Sequence, residues 1–300
     1  MQHDRRVARV FVNDRTWRWW AATARRVRAR RYDLIINPIT RYPYRQGLVV
    51  SLLGMRHTYK VSGWRPVRFQ GLFTKAFRIP PHLTHMAESV LAVGQLAFGR
   101  RELLGRKGLE RYPLYLAPDA DADGRISQFV TAHGLEHFVV VNVSAATDPE
   151  REWAPSQAAA LVRLLLERHN GLSVVLTPAP GKEARTVEVA RQCADARVFV
   201  APVFPLPDLV ALIRRALLVV SPSTALVHIA SATRRPVVAL YAPQHPNDVP
   251  LWLPVGVPHR AVVSALGDVM GDIPPTRIAD AFDDLLQEIG ATGDVHVTRR

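Results

Sequence analysis

Between Phe138 and Tyr241 five short apolar runs alternate with four longer segments of helical spacing. The runs are Phe138–Val143, Ser173–Thr177, Arg197–Ala201, Leu217–Ser221 and Pro236–Tyr241, and the helical patterns between them are Ser156–Asn170, Lys182–Ala194, Leu206–Arg215 and Ala225–Thr233. Runs that are apolar throughout, rather than at every second position, need burial on both faces, and a parallel sheet covered by helices supplies it. The expectation is a doubly wound α/β domain. Such domains take ligands just outside the carboxyl ends of their strands, which directs attention to Asn142–Thr147, Thr177–Lys182, Ala201–Pro205, Ser221–Val227 and Tyr241–Asp248. Further strands are expected at Ala8–Val12 and Asp33–Asn37, and further helices at Thr16–Arg31, Arg45–Leu53, Leu83–Phe98, Arg125–His133 and Arg277–Ile289. Ser156 reads as an N-cap, and Gly171 reads as the left-handed residue past the same helix.

Charge divides the chain. Residues 1–112 carry 20 Arg and 3 Lys against 6 acidic residues, a net of +17, while the remainder is −4. Two domains are therefore expected, 1–112 and 113–300. The basic one calls for an anionic partner: nucleic acid, anionic lipid or a phosphorylated glycan. Arg15–Arg31 holds seven Arg together with Trp17, Trp19 and Trp20. Such a segment fits adsorption to an anionic membrane surface, and it fits equally a packed helix with a solvated Arg face. Nucleic acid is disfavoured, because no helix-turn-helix, RNA-recognition or zinc pattern accompanies the charge. The single cysteine, Cys193, allows neither an internal disulfide nor a two-cysteine zinc site. With no secretory apolar core at the start and no apolar run of spanning length, the expected location is cytoplasmic, with peripheral contact to the inner membrane as an option.

The stretch LLVVSPSTALVHIASATRRPVVALYAP, Leu217–Pro243, is the most informative. A buried strand ends at Ser221 and Pro222 breaks it. Ser223 and Thr224 can cap a helix beginning at Ala225. The backbone N–H groups of Thr224, Ala225 and Leu226 then sit at the positive end of the helix dipole, where they suit a diphosphate. A routine strand-to-helix connection would look the same.

This stretch resembles the donor-site signature of family 9 glycosyltransferases, the heptosyltransferases of lipopolysaccharide core assembly, in which Asp-Thr-Gly-Pro-Met-His-Leu-Ala-Ala precedes a Pro-Val-Val-Ala-Leu-Phe-Gly-Pro strand. Thr224, His228, Ala230, Pro236, Val237, Val238, Ala239, Leu240 and Pro243 stand at the matching places. The likeness extends to Arg30–Gly54, Val139–Leu165, Val174–Ala184, Ala201–Ala216 and Ile273–Leu286, in order. It implies a GT-B-like α/β fold of two Rossmann-like domains with parallel sheets, the N-terminal one incomplete. The first domain would take the acceptor, an anionic glycolipid, and the second a nucleotide sugar, ADP-heptose. Transfer would invert the anomeric centre and need neither metal nor other cofactor. Donor and phosphate contacts would then come from Ser144, Arg151, Ser223, Thr224, Ala225, Leu226 and His228, with Thr177, Lys182, His245 and Asn247 on the nucleotide side.

The chain also departs from the family. Ser223 replaces the family Asp that contacts donor-sugar hydroxyls, and Ala225 replaces a Gly. Arg151 stands for a family Lys, with Ala154 inserted between Trp153 and Pro155. Family members open with a strand and a Gly-Asp loop whose Asp serves as general base, and no such turn occurs in the first forty residues here. Asp14, Asp33, His57, His82 and His85 are substitutes to inspect, and Asp14, Asp33, His82 and His85 each have a plain capping or flanking explanation. Two readings follow: a heptosyl-transferring enzyme, or an inactive relative that binds nucleotide or glycan or serves as an assembly partner.

Overall fold

The computed structural model describes residues 17–37, 43–64, 72–116, 119–144, 152–243, 248–267 and 270–291. The chain divides into two compact units, Met1–Tyr112 and Pro113–Arg300. Within the described residues the first unit opens with α1 (Trp17–Ala29), β1 (Leu34–Asn37), α2 (Pro43–Leu53), β2 (Tyr59–Trp64) and β3 (Lys75–Arg78). Helices α3 (Met86–Ala97) and α4 (Arg106–Arg111) follow. Its three strands form a parallel sheet in the order β1-β2-β3. Among the described residues its core gathers Val61, Ile79, Leu83, Ala92 and Val93. Helix α3 lies so close to β2 that a Cβ on Gly63 would fall 2.3 Å from Val93 Cγ2, so only glycine fits there.

The second unit runs α5 (Ala120–Ala132), β4 (Phe138–Asn142), α6 (Pro155–Arg168), β5 (Ser173–Thr177), α7 (Glu183–Cys193), β6 (Val198–Val200) and α8 (Leu206–Arg215). It continues with β7 (Val219–Pro222), α9 (Ala225–Ala232), β8 (Val237–Tyr241), α10 (Asp248–Trp252), β9 (His259–Val263) and α11 (Pro275–Ala291). The six strands are parallel, in the order β6-β5-β4-β7-β8-β9. Every residue of β4, β7 and β8 is buried. One face packs Val139, Val141, Leu176, Val220 and Leu240 against residues of α6, α7 and α11. The other packs Val140, Val175, Val219 and Ala239 against residues of α5, α8 and α9. Strand order reverses direction between β4 and β7, and a doubly wound sheet opens its ligand crevice at that point.

Several expectations need correction. Ser156 is not the N-cap: α6 begins at Pro155, and its cap, Ala154, makes no side-chain hydrogen bond. Pro155 fits the first helical position because its missing N–H would have no intrahelical partner, and Ala154 before it has no side-chain acceptor for the N–H groups that follow. Pro222 ends β7 rather than breaking it earlier, since the ladder reaches Leu240 opposite Pro222. Helix α5 starts at Ala120, several residues before the expected Arg125, because the Asp119 carboxylate accepts from Ala122 N at 2.7 Å and caps it there. Strands β2, β3 and β9 and helices α4 and α10 were not anticipated. Gly171 does adopt a left-handed backbone, with φ of 78°. The expected Ala8–Val12 strand lies outside the described residues.

Candidate functional site

At the switch point the strand ends carry polar side chains. Asn142 is two residues on from Val140, Thr177 two from Val175, and Ser221 two from Val219, so by strand alternation all three fall on the α8 and α9 face. All three are buried. They stand on adjacent strands, with Asn142 and Thr177 directly paired in register. The Asn142 amide bridges the reversal: Nδ2 donates to Ser221 Oγ at 3.1 Å and to Thr224 Oγ1 at 3.2 Å. Its Oδ1 accepts from Ser144 N at 3.2 Å. Ser221 Oγ donates to Pro222 O at 2.8 Å and lies 3.1 Å from Thr224 Oγ1. Ser144 Oγ in turn accepts from Ala179 N at 3.0 Å and holds the turn after β5. The Thr177 hydroxyl has no hydrogen-bond partner among the described residues.

Helix α9 rises from this cluster. Thr224 is its N-cap, with Oγ1 accepting from Leu226 N at 3.4 Å. Ser223 N donates to Leu240 O at 2.8 Å, which leaves Thr224 N and Ala225 N as the first N–H groups of the helix beside the cluster. Buried neutral side chains around a helix N-terminus leave its positive end uncompensated, and an anion is the natural complement. Beside the turn, Ser223, Leu240, Tyr241, Pro243, Asp248 and Trp252 help line a cavity of about 20 Å³, room for one water. The Tyr241 hydroxyl donates to Trp252 O at 2.9 Å, and burial pushes its pKa up.

The predicted site residues are thus partly brought together. Ser144, Ser223, Thr224, Ala225 and Leu226 share the switch point, and Thr177 ends the neighbouring strand. His228 lies on the first turn of α9 with its ring 5.6 Å from that of Trp252, so it packs against α10. Lys182 places Nζ 3.1 Å from Glu152 Oε1, and Arg185 approaches the same carboxylate at 3.9 Å. Arg151, His245 and Asn247 lie outside the described residues. Trp17, Trp19 and Trp20 fall on α1, but their side chains are outside what the structure describes. Among the substitute bases, His85 caps α3, its Nδ1 accepting from Ala87 N at 3.1 Å. Asp33 flanks β1 and its carbonyl accepts from Tyr59 N. His57 and His82 are exposed residues of the first unit, and Asp14 lies outside the described residues.

Asn142 and Ser221 open two of the strand-end segments to which the sequence directs attention, but the sequence assigns no contact role to them or to Glu152. The usable signal was parity: three apolar strands each place a polar residue on the same face at their carboxyl ends. Among the described residues no group of three His, Cys, Asp or Glu side chains is arranged to hold a metal ion. No helix among them is long and apolar enough to cross a membrane.

Two α/β units with parallel sheets, the second doubly wound with its switch point at a helix N-terminus, give the chain the architecture of a two-unit Rossmann-like protein. The sequence model described as glycosyltransferase family 9 (heptosyltransferase) matches residues 20–268, and the chain belongs to that family. It is 26% identical over 283 residues to lipopolysaccharide heptosyltransferase 3 of Escherichia coli strain K12, covering 89% of this chain and 78% of that one. Among solved structures it is similar to a family 9 glycosyltransferase from Veillonella parvula, with a TM-score of 0.72, 18% identity, and coverage of 90% and 78% of the two chains. It also resembles the E. coli heptosyltransferase WaaC with ADP, with a TM-score of 0.62, 19% identity, and coverage of 89% and 77%. The same enzyme has been solved with ADP-2-deoxy-2-fluoro heptose.

Proposed function

We propose that the second unit binds an ADP-sugar at the β4/β7 switch point and that the protein transfers the sugar, heptose from ADP-heptose, to an anionic acceptor of the lipopolysaccharide-core type. The observation that carries this reading is the cluster of buried Asn142 and Ser221 with half-buried Thr224 at the N-terminus of α9. Sugar transfer from a nucleotide diphosphate accumulates negative charge on the departing phosphates. Oriented N–H and O–H donors in a water-poor crevice stabilise that charge without reorganising during the reaction. Thr224 and the first N–H groups of α9 would do so here, with Arg151 as the cation, by inversion and without a metal. The first unit, 1–112, would take the acceptor from the membrane surface on the cytoplasmic side, its net charge of +17 supplying the attraction.

Ser223, standing where the family has Asp, favours a second reading, in which the protein binds nucleotide or glycan without turnover. Calorimetric titration of the full chain with ADP tests the shared part of both. Saturable binding is expected, and Thr224→Val should weaken it about 10- to 150-fold, the loss of one hydrogen bond to a charged group worth about 1.5–3 kcal/mol. Absence of saturable binding contradicts the ADP-sugar reading and favours an inactive relative that binds glycan.

A further inference from the structure

Hydrogen positions in the switch-point cluster are fixed by which partners can only accept and which can only donate. Ser144 N, a donor only, faces Asn142 Oδ1, so the other end of the Asn142 amide is the NH₂ group. Both of its protons are engaged, one on Ser221 Oγ and one on Thr224 Oγ1. The Ser221 proton is engaged as well, because the carbonyl of Pro222, 2.8 Å away, can only accept. Thr224 Oγ1 therefore receives a proton from Asn142 Nδ2 and another from Leu226 N, which occupy both of its lone pairs. Its own proton is the one hydroxyl proton among these three side chains not committed to an obligate acceptor. Within the cluster it donates to Ser221 Oγ at 3.1 Å, a neutral acceptor that a charged phosphate oxygen outcompetes.

We infer that Asn142 is a positioning residue that makes the Thr224 hydroxyl an obligate hydrogen-bond donor to a ligand that presents only acceptors, the phosphate oxygens of a nucleoside diphosphate. The inference rests on the donor-site reading above. Asn142 lies on β4 and Thr224 at the start of α9, so the amide couples the two sides of the strand-order reversal. A group free to accept as well as donate would bind hydroxyl-bearing and phosphate-bearing ligands alike. With its lone pairs filled, Thr224 selects the anion.

The discriminating experiment is a double-mutant cycle on the full chain, read by calorimetric titration with ADP and, in parallel, adenosine, with melting temperatures recorded for each variant. Asn142→Asp keeps the shape and the Ser144 contact but converts the bridging donor into an acceptor that captures the Thr224 proton. ADP affinity should fall about tenfold or more relative to the parent. Thr224→Ser keeps the hydroxyl and should show the same Asn142→Asp penalty. Thr224→Val has no proton to capture, so the penalty there should shrink several-fold, to the part due to the added charge alone. Adenosine affinity should be unchanged throughout. If Asn142→Asp does not fold, Asn142→Leu serves in the same cycle, with a penalty expected beside the native Thr224 and none in the Thr224→Val background. Equal penalties in the Thr224 and Thr224→Val backgrounds overturn the inference while leaving the donor site standing. A parent protein that binds no ADP overturns the donor-site reading and the inference with it.

Discussion

Trp153 is the largest fully buried side chain among the described residues, and its replacement gives a sharp structural prediction. Its ring is 1% exposed and packs in the core shared by β4, α6 and α11. Its Nε1 donates to Met270 O at 3.2 Å, and Gln157 Nε2 donates to the next carbonyl, Gly271 O, at 2.7 Å. Asp272 then holds the turn after β9, its Oδ2 accepting from Ser264 Oγ, Ala265 N and Leu266 N. Trp153 thus fastens the segment entering α6, which carries Glu152, to the turn beyond the sheet edge. Trp153→Phe keeps most of the apolar area but leaves the Met270 carbonyl without its donor, a cost of about 1–3 kcal/mol, with about 1 kcal/mol more for lost volume. For a unit of this size each kcal/mol lowers the melting temperature by about 2–4 °C, so the expected drop is about 4–15 °C by calorimetry. Trp153→Ala should cost about 3–5 kcal/mol from volume alone and melt lower still. Leu266→Ala, at a side chain 73% exposed in the neighbouring turn, should stay within about 0.5 kcal/mol of the parent. If Trp153→Phe melts within a degree of the parent, the fastening described here is not what holds the segment.

Three further outcomes follow from the charges. Glu152→Gln removes the carboxylate that engages Lys182 and Arg185; because Lys182 is about one-third exposed, the stability cost should be about 1 kcal/mol or less, while ADP affinity should rise a few-fold, and an unchanged affinity would remove Lys182 from the nucleotide site. Hydrogen bonds from Leu266 and Ala265 N–H groups hold the Asp272 pKa low, Arg197 does the same for Asp195, and Arg191 draws Glu188 down to about 2. Depressed carboxylates stabilise the fold fully above their unfolded pKa, so stability should decline as pH falls from about 4 towards 2, and Asp272→Asn should shallow that decline in acid titrations followed by circular dichroism. Anionic vesicles should bind the full chain with affinity that drops steeply from low to physiological salt, and replacing Trp17, Trp19 and Trp20 with Ala should weaken vesicle binding more than oligonucleotide binding; the reverse ranking would favour nucleic acid.

How much could be read in advance differs between the units, for physical reasons. Strands β4, β5 and β8 are continuous apolar runs because both faces are covered, and such runs stand out without any period. Strand β2, YKVSGW, does not: Lys60, Ser62 and Gly63 interrupt it, and its glycine is there for the close approach of α3 rather than for a turn. Strand β3, KAFR, exposes both ends, and β9 begins His-Arg at the sheet edge, where one side needs no partner strand. Helix α4, RKGLER, has a central glycine and reads as a charged loop; Gly108 is required there because a Cβ would lie 2.2 Å from the Leu103 carbonyl oxygen. In the site, the Thr224 cap was legible because capping is local. Asn142 was not, because its partner lies 82 residues away and a polar residue at a strand end resembles a turn.

The most direct test of the central claim is release of ADP from ADP-heptose by the full chain, measured with and without truncated core lipopolysaccharide as acceptor. Acceptor-dependent ADP release is expected, suppressed at least about tenfold by Thr224→Val, with the product glycoside inverted relative to the donor. Binding of ADP-heptose without acceptor-dependent release would transfer the protein to the non-catalytic reading. A chain that neither binds nor turns over ADP-heptose would contradict the donor-site assignment altogether.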